Sequence, residues 1–190
     1  MALNGGGKLK MRAPDWQNWL KDKEDCKNWI HNYLNKSILK KSKDDSRLHL
    51  KKAEHNLNFA NWIKEAHKDS IKKFFHNETF YDWVVNIYYY AIYHAALALV
   101  SKQGFESKNH SATLCFLIWN NFHANQDIDV NDVSLVANSL QKEDIESIGY
   151  SKEIREKASY DVHKSFEASL ANQMQENAVN FMNKIRGLLM

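Results

Sequence analysis

Arg155, Lys157, Tyr160 and His163 set a guanidinium, an ammonium, a phenol and an imidazole close together in the chain. A guanidinium binds phosphate bidentately, and an imidazole moves protons near neutral pH. Cleaving RNA without a metal needs those two functions, a base near the 2′-hydroxyl and a cation for the phosphorane. The competing reading is structural: Arg155 and Lys157 as surface charges, Tyr160 packed, His163 in a loop. A second basic set, Lys64, Lys68 and Lys72, repeats every four residues. On one unbroken helix these lysines share an exposed face and suit phosphate contact.

The remaining reactive side chains match no known chemical motif. Nine histidines contain no HExxH pair. Cys26 and His31 share a helical stretch, but nothing nearby completes a ligand set, and two cysteines cannot make a four-ligand zinc site. Neither GxxxxGKS/T nor GxGxxG occurs, and Gly5–Gly7 has no strand before it, so no metal and no cofactor are expected. Cys115 lies in an apolar helical stripe and reads as a buried structural thiol. Tyr88, Tyr89, Tyr90 and Tyr93 point around a whole helix, which suits core and dimer packing better than base stacking. His94 on that helix reads as a hydrogen-bonded core histidine, and His110 as a cap or clamp of the next turn.

Helices must position these groups. Asp15 is a predicted N-cap for a helical stretch over 15–39, with Trp16, Trp19 and Leu20 and then Trp29, Ile30, Tyr33 and Leu34 on its apolar side. Lys36–Lys43 reads as a basic linker. Asp44, Asp45 and Ser46 open a second helix to about Phe75, with Leu50, Ala53, Leu57 and Ala60 at 3, 4, 3 spacing. A third helix, about 79–102, is apolar on most sides and belongs at the centre of a bundle. Gly104 ends it. Asn109 or Ser111 caps a fourth helix to about Phe122, and 124–131 is a polar loop. A further helical stretch covers about 131–160. The last helix, about 169–189, carries the stripe Leu170, Met174, Ala178, Phe181, Ile185 and Leu188. No alternating strand pattern is present. The expected class is all-α, an antiparallel helical bundle.

Composition agrees. The 190 residues are 44% hydrophobic and 12% aromatic, enough for a core without staples, and a single proline and six glycines leave little material for an all-β fold of tight turns. Few cysteines point to a reducing, cytoplasmic setting. Trp83–Val100 carries no Asp, Glu, Lys or Arg and approaches the length of a membrane span. Its central tyrosines and His94 instead indicate a buried helix, so no membrane is expected. The net charge of +3 is unevenly spread: 36–73 holds eleven Lys/Arg against five Asp/Glu, whereas 104–149 holds two against seven. A basic side and an acidic side follow, read either as solvated faces or, for the basic part, as a phosphate-facing surface.

Taken in order, three stretches resemble the HEPN domain family, small helical bundles with a nucleotide-binding role. Leu50-Lys-Lys-Ala-Glu-His-Asn-Leu-Asn-Phe-Ala is similar to its opening helix. Phe80 to Leu99, followed by Lys108-Asn-His110-Ser, is similar to its aromatic central helix and the start of the next. Arg155-Glu-Lys-Ala-Ser-Tyr160-Asp, then Ala178-Val-Asn-Phe181-Met-Asn-Lys-Ile185, is similar to its arginine–tyrosine segment and closing helix. The resemblance covers about 46–190. It implies a bundle over 44–190 with 1–43 as a flexible start and helical arm.

Several members of that family are ribonucleases, often toxins paired with a minimal nucleotidyltransferase, and use an arginine followed four to six residues later by histidine. Here Arg155 matches, Tyr160, Asp161 and Val162 occupy the histidine positions, and His163 stands one residue beyond. Tyrosine, with an ordinary pKa of about 10, is a poor base at neutral pH. The resemblance therefore implies a homodimeric module, weakly catalytic or not catalytic, that contacts RNA, a nucleotide or a nucleotidyltransferase partner. Lys64, Lys68, Lys72, Arg155 and Lys157 would meet the phosphates. Two rivals remain: a metal-independent ribonuclease using Arg155 with His163 or Tyr160, and a structural protein that docks through Trp16, Trp19 and Trp29.

Overall fold

The computed structural model describes residues 13–147 and 168–190, with no side chain described between 140 and 147. Asp15 opens α1 (Trp16–Lys21) as expected, its carboxylate accepting from the backbone N–H groups of Gln17 at 3.0 Å and Asn18 at 3.2 Å. Asp22 ends α1 and caps α2 (Lys23–Asn35) by accepting from Asp25 N at 2.9 Å. The basic run that follows is more than a linker. Leu39–Lys41 forms β1, antiparallel to β2 (Phe105–Ser107), with Leu39 opposite Ser107 and Lys41 opposite Phe105. Lys40 and Glu106 pair across it at 2.8 Å. β1 and β2 form a two-stranded sheet, the only one among the described residues.

The second helix, expected unbroken to Phe75, is two. α3 (Ser46–Ala66) stops at a turn over 67–69, and α4 (Ser70–Phe75) starts after it. After it come α5 (Tyr81–Lys102) and α6 (His110–Phe116). Asn109 caps α6 through Ala112 N at 2.8 Å. α6 then widens into a π-helix, Leu117–Asn125, ended by Gln126 in the left-handed conformation. α7 (Val130–Ser147) and α8 (Ala168–Leu189) complete the described chain.

α5 lies in the middle, with α3, α7 and α8 packed around it. Its alanines Ala91, Ala95, Ala96 and Ala98 are fully buried and let the neighbouring helices come close, while Val84, Val85, Tyr88 and Ile92 fill the space between. Each large apolar side chain buried this way is worth about 1.5–3 kcal/mol. By length and composition α5 could also cross a membrane, but 67% of its apolar window is buried inside the bundle.

The N-terminal helices join the same core. Trp19, Trp29 and Tyr33 follow one another at ring separations of 5.7 and 5.5 Å, and all three are buried with Cys26 and Leu39 against residues of the bundle. The π-helix turns His123 toward them, and its Nε2 meets the Trp19 carbonyl oxygen at 2.8 Å.

Candidate interaction surface

The break after α3 builds a surface. His67 sits in the turn, buried, with Nδ1 2.9 Å from the Ile63 carbonyl oxygen and Nε2 2.9 Å from Phe80 N. Because the amide of Phe80 donates, Nε2 must carry the lone pair and Nδ1–H donates to Ile63; the ring is neutral in this arrangement. The imidazole also stacks on Tyr81, centroids 4.0 Å apart and 13° between planes. One side chain thus ties the end of α3 to the entrance of α5, with α4 in the connection between them.

The corner exposes aromatic rings. Phe59 and Trp62 stack on α3 at 6.0 Å and 11°; Phe74 and Phe75 stand on α4, and Trp83 on the first turn of α5. Trp62 is 66% exposed, Phe74 69% and Trp83 61%. Between them runs a groove of about 400 Å³ whose walls include Trp62, Ile71, Phe74, Phe80 and Trp83. The lining of this groove is apolar, which suits an apolar occupant.

The lysines expected to form one stripe are separated by the break. Lys64, half-buried on α3, donates to Gln175 Oε1 of α8. Gln175 in turn donates to Asn61 Oδ1 at 2.6 Å, which also accepts from the Tyr88 hydroxyl at 2.7 Å. Burial pushes the Tyr88 phenol up to about 12, so it stays a donor. Lys68 lies in the turn and pairs with Glu65 at 2.7 Å. That contact raises the lysine above its ordinary range and lowers the glutamate below its own. Lys72 is exposed on α4, next to Lys73, whose ammonium lies 5.6 Å over the Phe74 ring. Arg155, Lys157, Tyr160 and His163 lie outside the described residues.

The tryptophans read from the sequence as a docking face, Trp19 and Trp29, are core, with Trp16 packed against them. The exposed ones are Trp62 and Trp83. A signal for Trp62 was present: Phe59 and Trp62 fall off the Leu50, Ala53, Leu57, Ala60 stripe, on the side that faces water. His94 also differs from expectation. It is half-buried and stacked on His49, and its Nδ1 has no hydrogen-bond partner. Next to it Tyr93 meets the edge of His110 at 4.5 Å. Among the described residues no group of three or more His, Cys, Asp or Glu could hold a metal ion.

In comparison with known proteins, no family model matches the chain, and no curated protein matches it in sequence.

Proposed function

We propose that this chain is a binding module, HEPN-like in the order of its helices, that associates with a second copy of itself through the aromatic face of α3, α4 and α5. The observation that carries the reading is the contiguous exposure of Phe59, Trp62, Phe74, Phe75 and Trp83. Five rings, each showing roughly half to two thirds of ~200 Å², present about 600 Å². A standard interface takes ~800 Å² from each partner, so the rings supply most of one side. Around them the exposed Lys68, Lys72 and Lys73 alternate with Glu65, Asp69 and Glu78. A rim of both signs is self-complementary about a two-fold axis, whereas a polyphosphate chain prefers one sign. A nucleotidyltransferase or RNA partner, implied by the resemblance, would then meet the dimer.

Sedimentation equilibrium of the full chain tests this. The expected species has twice the 22.2 kDa chain mass, and Trp62→Glu with Trp83→Glu shifts it to a monomer with an unchanged helical circular dichroism spectrum. A wild-type monomer at all concentrations sinks the reading. A monomer that binds RNA with salt-dependent affinity would move the function to the nucleic-acid side.

A further inference from the structure

The chain has two cysteines, 89 residues apart in sequence, and the fold brings them together. Cys26 on α2 and Cys115 on α6 have no exposed surface. Their sulfurs are 3.8 Å apart. Each thiol also lies over the other residue's backbone, Cys26 Sγ 3.6 Å from the Cys115 carbonyl oxygen and Cys115 Sγ 3.5 Å from that of Cys26. Packing of two small apolar side chains needs no such reciprocal arrangement.

We propose that Cys26 and Cys115 are a disulfide site: oxidation joins the two sulfurs and staples the N-terminal helix pair to α6. A disulfide bond is about 2.05 Å long, so the sulfurs close by roughly 1.8 Å, a movement within reach of side-chain rotation. The oxidant is a peroxide. One thiol loses its proton, and its thiolate attacks a peroxide oxygen to give a sulfenic acid and hydroxide, which takes up that proton as water; the second thiol then attacks the sulfenic sulfur, and its proton leaves with the hydroxyl as a second water. Two protons and two electrons leave the protein, and the peroxide is reduced to two waters.

Access sets the rate. Burial, with Cys26 beside it, pushes the Cys115 thiol far above the usual thiol range, and only the thiolate reacts. The docked helices therefore shield both sulfurs, and the reaction proceeds when α1 and α2 lift. What holds them down is the burial of Trp19, Trp29 and Tyr33 in the shared core and the contact of His123 with the Trp19 carbonyl oxygen. The product records that opening and prevents the next one.

The test uses the full chain, reduced and then treated with hydrogen peroxide, quenched, and alkylated with iodoacetamide in guanidinium chloride. The expected result is loss of both alkylatable thiols, a mass lower by two hydrogens, and a monomer on a non-reducing gel, all reversed by dithiothreitol. The oxidised chain should melt about 10 °C higher, as a cross-link closing so long a loop implies. Cys26→Ser and Cys115→Ser should show neither the mass change nor the melting shift. The wild-type arm decides alone if either variant misfolds. Two thiols still open to alkylation, cross-linking only between chains, or a lower melting temperature after oxidation would each overturn the proposal.

Discussion

His94 stacks on His49, ring centroids 6.0 Å apart and 25° between planes, joining the centre of α5 to the first half of α3. Burial holds both imidazoles below the ordinary range; His94, with His49 and Lys52 adding repulsion, is lowered to about 4. Asp45 opposes the shift at His49. The unfolded chain takes up this proton near ~6.5 and the folded chain only near 4. Stability from His94 is thus complete above about 6.5 and is lost as pH falls through that window. Urea unfolding between pH 7 and 4 should show a steeper loss for wild type than for His94→Asn. Equal slopes would remove His94 from the acid response.

His67→Ala should cost about 1–3 kcal/mol, because the part-buried amide of Phe80 loses its acceptor. The same change frees α4 from the corner. Self-association should weaken along with stability, since the aromatic wall is then no longer held. Unfolding free energy and sedimentation together check this; a loss of stability with unchanged association would detach the corner from the interface.

The two classes of tryptophan should separate on mutation. Trp19, 1% exposed, should cost about 3–5 kcal/mol as Trp19→Ala through the cavity it leaves. Trp62, at 66% exposure, should change stability by less than about 0.5 kcal/mol as Trp62→Ser when measured at dilutions where the chain is monomeric. Denaturant titration distinguishes them, and a large cost at Trp62 under those conditions would show that its ring packs internally.

Gly104 has φ +78, its N–H bonded to Ser101 O and its carbonyl oxygen accepting from Ser42 N, both at 2.9 Å. A Cβ there meets only Ser42 O, at 3.8 Å. The cost of Gly104→Ala is therefore conformational rather than steric, about 1–2 kcal/mol. Thermal melting checks it, and an unchanged melting temperature would mean that the turn relaxes.

Local order was legible in the sequence and distant pairing was not. Asp15 and Asn109 announce helix starts through side chains that bond within three residues. The spacing from Leu170 to Leu188 places α8 nearly to the residue. Leu39–Lys41 carries no such mark. Three residues are too few to show a period of two, and the partner strand begins at Phe105. The end of α3 was missed for a related reason, since the bond from Phe80 N to His67 depends on a residue thirteen positions away. Of the expected site, the lysines are separated by that turn and the arginine–histidine segment lies outside the described residues. The thiol pair is legible only once the helices are in place.

The contacts of the N-terminal helices also order events during synthesis. A ribosome releases a chain from its N-terminus at about 5–20 residues per second, so Cys26 emerges 89 residues ahead of Cys115. Trp19, Trp29 and Tyr33 then spend several seconds without the α6 and π-helix surfaces that cover them. For that interval the nascent polypeptide displays a bare aromatic segment, a substrate for chaperones, and seals it only after more than half of the remaining message has been read.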